Sequence, residues 1–166
     1  MSNKIIWILS VVFLLTMSNL SAQLVAKSFD LTQEGALKLA EQANIEAGKL
    51  NKNISVAVLN SSGVTLLLLK GDNVGPHNTE ASRRKAYTSL STKTPSFELM
   101  EKAAADPTAN NLNTLPELLL LGGGVPIWKD GELVGSIGVS GAGGGENDHN
   151  VAKRAAENLG FTIVKK

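Results

Sequence analysis

Residues 122–141 read Gly-Gly-Gly-Val-Pro-Ile-Trp-Lys-Asp-Gly-Glu-Leu-Val-Gly-Ser-Ile-Gly-Val-Ser-Gly, and no other stretch of the chain limits its fold as tightly. Two β-favouring runs, about 125–129 and 133–140, meet at Asp130-Gly131, a dipeptide suited to the positive φ angles of a two-residue hairpin loop. Glycines crowd both outer ends of that hairpin. Without a Cβ they let the backbone pass close to a ligand or to another chain.

The rest of the chain supplies helices and a second hairpin. Thr32 is placed to cap a helix over about 32–48, with Glu34 in its first turn and Ala36, Ala40, Ala43 and Ala47 along one face. That alanine face suits close packing against a sheet. Ile54 to Leu59 and Val64 to Leu69 are β-favouring runs joined by the turn residues Asn60-Ser61-Ser62-Gly63. Leu66 to Leu69 put apolar side chains on both faces, so this strand is expected to be covered on both sides, by helix and by a partner subunit or ligand.

After a loop at Gly71–Pro76, helices are expected over Thr79–Ser91 and Ser96–Ala105, the latter bracketed by Pro95 and Pro107. The leucine run Leu115–Leu121 reads as a further strand. A last helix, capped by Asn147 or Asp148, carries Val151, Ala152, Ala155, Ala156 and Leu159 as one apolar stripe and ends at Gly160. Short turns between neighbouring strands favour an antiparallel arrangement. The predicted class is α+β, with an antiparallel sheet of about five strands flanked by helices.

The N-terminus bears on location. Lys4, the apolar run Ile5–Leu15 and the small pair Ser21-Ala22 read as a secretory signal peptide over residues 1–22, leaving a single domain over 23–166 and an exported, periplasmic or secreted product. The apolar run is short of the roughly 20 residues that span a bilayer, so no stable membrane anchor is expected. Lys4 is the one charged residue of 1–22, so the 16 basic and 15 acidic residues of the chain become equal in number on processing. A neutral chain has no electrostatic claim on nucleic acid. Cysteine is absent, which excludes disulfides, thiol chemistry and a lipoprotein anchor and leaves packing and oligomerisation to hold the fold.

Chemical motifs are sparse. The glycine clusters fit neither G-x-G-x-x-G nor G-x-x-x-x-G-K-[ST], and Gly138-Val139-Ser140-Gly141 is not the G-x-S-x-G elbow of a serine hydrolase. His77 and His149 share no metal-ligand spacing, and each reads as a solvated surface histidine or as an axial ligand to haem iron. Met100 is a packing residue first and an iron ligand second. Arg83, Arg84 and Lys85 fan over about 200 degrees of a helix, either as a solvated edge or as a cationic mouth for a haem propionate or another small anionic ligand.

The order of elements resembles the GlcG/HbpS haem-binding family, itself related to the C-terminal domain of PduO-type corrinoid adenosyltransferases. Leu31-Thr32, Ser55-Val56-Ala57-Val58, Arg84-Lys85-Ala86-Tyr87-Thr88, Gly123-Gly124-Val125-Pro126, Asp130-Gly131, Val134-Gly135 and Ile137-Gly138-Val139-Ser140-Gly141 followed by Asp148 carry the likeness, from about residue 31 to 160. It implies a profilin-like α+β domain and an exported homo-oligomer that binds haem in order to sense, buffer or transport it, without catalysis. Two other readings stand beside it: an enzyme or enzyme accessory acting on a small carboxylate or corrinoid, and a purely structural oligomeric subunit. In the haem reading, His77, His149 and Met100 are the candidate iron ligands, and Arg83, Arg84 and Lys85 the propionate partners.

Overall fold

The computed structural model describes residues 28–166, so the expected signal peptide lies outside the described residues. In chain order the elements are α1 (Gln33–Gly48), β1 (Ser55–Asn60), β2 (Thr65–Lys70), α2 (His77–Thr92), α3 (Ser96–Ala105), the single turn α4 (Pro107–Asn110) running into a 3-10 turn (Asn111–Thr114), β3 (Gly124–Lys129), β4 (Glu132–Ser140) and α5 (Gly145–Asn158). The strands form one antiparallel sheet in the order β2-β1-β4-β3.

Helices cover both faces of the sheet. Val56 and Val58 of β1, Val125 and Ile127 of β3, and Ile137 and Val139 of β4 turn towards α1 and α5, meeting Ala36, Leu39, Ala40, Ala43 and Ala47 from one helix and Val151, Ala152, Ala155 and Ala156 from the other. Burying each of the larger aliphatic side chains contributes about 1.5–3 kcal/mol. The alternate residues of β1, Ala57 and Leu59, face α2, where Ala86 and Leu90 complete a smaller cluster. α1 begins as its sequence predicts: the Thr32 hydroxyl accepts a hydrogen bond from the Gly35 N–H at 3.1 Å.

The glycines of the long motif find a use inside the molecule. Gly124 and Gly138 sit opposite each other on β3 and β4, beneath α2. A Cβ on Gly124 would lie 1.9 Å from the Lys85 carbonyl oxygen, and one on Gly138 would lie 2.0 Å from that of Ser82. The helix backbone therefore rests directly on the strand backbone, with the small residues Ser82, Ala86 and Ser89 buried at the contact. At these two positions the close approach is made by the chain's own helix. The hairpin itself turns as expected: Asp130 (φ 50°) and Gly131 (φ 80°) both adopt positive φ, as in a type I′ turn.

The sheet has four strands where about five were expected, because Leu115–Leu121 does not join it. Part of its backbone is held by side chains instead of a neighbouring strand: the Thr88 hydroxyl accepts from the Leu119 N–H, Arg84 donates to the Leu118 carbonyl, and the Ser96 hydroxyl donates to the Leu121 carbonyl. The helix over 79–91 starts two residues earlier, at His77, immediately after Pro76. α5 starts at Gly145, ahead of both proposed caps, and this puts Asp148 inside the helix with its carboxylate free for another task.

Candidate functional site

The segments that carry the family likeness converge at the end of the sheet where β4 finishes and α2 and α5 begin. Lys85 comes from the middle of α2 and Asp148 from the first turns of α5; only 1% of the lysine and 4% of the aspartate is exposed. Their side chains meet, Nζ to Oδ2, at 2.7 Å. Nζ also lies 3.2 Å from the Val139 carbonyl and 3.4 Å from the Ser140 hydroxyl, which itself donates to Asn78 Oδ1 at 2.8 Å. The second carboxylate oxygen of Asp148 accepts from the Ala142 N–H at 2.7 Å, tying the glycine loop to the helix that follows it.

Gly123 makes room for this pair. A Cβ there would stand 2.9 Å from that of Asp148 and 3.0 Å from Cδ of Lys85. Burial pushes the Lys85 amine below its ordinary pKa, and the charge and hydrogen bond of Asp148 work against that fall. The network is shut away from solvent, so its direct action is to lock α2, β4 and α5 together.

His149 follows Asp148 and is half-buried. Its ring stacks on Phe97 of α3 with centroids 5.4 Å apart and planes inclined by 29°. The Nδ1 atom is buried with no hydrogen-bond partner. Burial, and secondarily the charge of Lys153 one turn further along α5, hold its pKa below the ordinary histidine value. At neutral pH the imidazole is therefore uncharged, the form in which histidine ligates a metal. Leu121, 42% exposed, adjoins Gly122, where a Cβ would lie 2.7 Å from the Phe97 ring.

The other candidates are dispersed. His77 is exposed at the start of α2, its ring beside Gly75, and its neighbour Asn78 reaches Ser140; the two histidines thus flank the Lys85–Asp148 network. Met100 is half-buried on α3, one turn from Phe97. Arg83 pairs with Glu80 at 2.7 Å and Glu117 at 2.9 Å, and Arg84 is bonded to the Leu118 carbonyl. Lys85 turns inward to Asp148. The cation facing the His149 neighbourhood is instead Lys153, which the sequence reading passed over because nothing local marks it; its i,i+4 spacing from His149 on a helix is the signal that could have found it.

A groove of about 340 Å³ opens elsewhere, between α1 and α5, lined by Glu46, Lys49, Leu50, Asn147, Asn150, Val151 and Arg154. Among the described residues no group of three or more His, Cys, Asp or Glu side chains could hold a metal ion. No described helix is long and apolar enough to cross a membrane. The residues around His149 fit a haem edge: an uncharged imidazole, an aromatic ring, an exposed leucine and a lysine for a propionate.

Fold and site together define a small helix-flanked antiparallel domain whose shared motifs build a buried lysine–aspartate lock beside a half-buried histidine. A family model described as "Haem degrading protein HbpS-like" matches residues 31–157, and the chain belongs to that family. It is similar to HbpS of Streptomyces reticuli, solved as a double mutant, at 38% identity and a TM-score of 0.76, over 82% of this chain and 91% of that one. Protein GlcG of Escherichia coli K12 is 35% identical over 110 residues, 66% of this chain and 81% of GlcG. The crystal structure of a PduOC:Heme complex shares the fold, with a TM-score of 0.73 at 23% identity, over 82% of this chain and 99% of that one.

Proposed function

We propose that this protein is an exported, non-catalytic haem-binding protein that works as a homo-oligomer. The observation that carries the reading is His149, a half-buried neutral imidazole stacked on Phe97, with Lys153 beside it. In this reading His149 would ligate the iron, Phe97 and Leu121 would cover apolar macrocycle edge, and Lys153 would pair with a propionate. Bound haem supplies the iron and its Soret absorption. The chain supplies a fixed ligand, because Asp148 anchors the turn that carries His149 to Lys85 and to the Ala142 N–H.

A family description that names haem and a fold relative crystallised with heme both support the haem-binding part of this reading. Export rests on residues 1–22, and is tested by sequencing the N-terminus of the protein recovered from the periplasm or medium. Haemin titration of residues 23–166, followed at the Soret band, is expected to saturate. Adding a reductant in air then separates a carrier, whose band persists, from a degrading enzyme, whose band bleaches. A non-saturating titration would overturn haem binding altogether.

A further inference from the structure

The two edges of the sheet are finished differently. At the β3 edge the C-terminal tail pairs with the strand: the Trp128 N–H donates to the Thr162 carbonyl at 2.8 Å, and the Thr162 N–H donates back to the Trp128 carbonyl at 3.1 Å. That edge also carries Pro126, which has no N–H to offer. β2 pairs with β1 along one side, and no backbone hydrogen bond among the described residues reaches its other side.

Nothing in its sequence protects that free side. Thr65–Lys70 holds four consecutive leucines, no proline and no glycine, and one charge at the far end. The register irregularity at Val58/Leu59 lies at the hairpin end and leaves Leu67–Lys70 regularly paired. Leu69 lies across from Val56 on the α1 face and is 48% exposed, while Leu68 lies across from Ala57 on the α2 face and is 42% exposed. The strand overhangs both helical layers. A straight apolar edge of this kind is a template for another strand.

We infer that β2 pairs antiparallel with β2 of a second copy of this chain about a two-fold axis, joining two four-stranded sheets into one of eight. The strand is complementary to itself when reversed. With the axis through Leu68, each Leu68 faces its own copy, Leu67 faces Leu69 and Leu66 faces Lys70, so that facing side chains share one side of the sheet. Leucine meets leucine at the centre of the junction and no two like charges are opposed. The helices of the second copy prolong both layers, so the overhanging Leu68 and Leu69 gain cover on the two faces that a single copy leaves open. The inference rests on the homo-oligomer reading and gives it a surface.

Light scattering on size-exclusion peaks of the wild type and of the Leu68→Lys/Leu69→Lys variant tests it, together with a distance measurement on a spin label at Leu68→Cys. The chain has no cysteine of its own, so the label is unique. Strand spacing and rise bring two such labels within about 20 Å of each other, side-chain length included. The expected result is an oligomer whose mass falls at least by half in the lysine variant, and a short label distance. An oligomer that keeps its mass in the variant and shows no short distance overturns the β2 surface while leaving oligomerisation standing; a monomeric wild type overturns both. Should the lysine variant fail to fold, the label distance alone decides.

Discussion

Asp148→Ala removes one half of a charge pair that the fold has taken out of water. The ammonium of Lys85 would be left with two neutral oxygens, the Val139 carbonyl at 3.2 Å and the Ser140 hydroxyl at 3.4 Å, and the Ala142 N–H would lose its acceptor. Breaking a buried pair in this way costs about 3–5 kcal/mol, most of it the unpaired charge. A lysine can relieve that charge by losing its proton. Burial already lowers the Lys85 pKa, and loss of Asp148 removes the two influences that raise it. Where the folded pKa is below the unfolded one, the unfolded chain binds more protons and stability rises with pH, so the deficit of the variant shrinks on going from roughly pH 6 to roughly pH 9. Urea unfolding of wild type and variant at both pH values reads this directly, and Lys85→Met/Asp148→Leu is expected to recover most of the loss. A deficit below about 1 kcal/mol, equal at the two pH values, would falsify the claim that this pair holds α2 to α5.

Gly124→Ala and Gly138→Ala each force a methyl onto the α2 backbone, and each is expected to cost about 3 kcal/mol in thermal unfolding; a change within 1 kcal/mol would mean that the helix does not rest on the strands as described. Glu46 is 4% exposed and is held below the usual carboxylate range, chiefly by its hydrogen bond from Lys49 and also by that from Asn158. Its contribution is complete above the unfolded pKa and fades as pH falls through the lower folded value, so the stability gap between wild type and Glu46→Gln should close on acidification; a gap that stays constant down to about pH 3 contradicts the assignment. Phe97→Ala uncovers His149, and its imidazole pKa, followed by NMR in the haem-free protein, should rise towards the ordinary value; an unchanged pKa would show that Phe97 contributes little to its burial.

Local chemistry was readable in the sequence at several caps and turns, though not at the starts of α2 and α5. The Thr32 cap, the alanine face of α1, the Asp130-Gly131 turn and the proline-bracketed helix Ser96–Ala105 all follow from residues close to one another in the chain. Leu115–Leu121 misled because a leucine run does not show where its backbone hydrogen bonds will go, and here Thr88, Arg84 and Ser96 supply them from other elements. Lys85 looked like one third of a surface cationic cluster. Its partner lies 63 positions away, and only the close seating of α2 on Gly124 and Gly138 turns it inward. Asn60, read as a turn residue, serves the turn: its side-chain oxygen accepts from the N–H groups of Ser62 and Val64.

Haem binding through His149 is the central claim, and a Soret titration of the wild type beside His149→Ala, His77→Ala and Met100→Ala tests it most directly. The account predicts a saturable shift at one haem per chain that weakens at least about tenfold in His149→Ala and is unchanged in the other two. Wild-type affinity in His149→Ala, or its loss in His77→Ala instead, would contradict it.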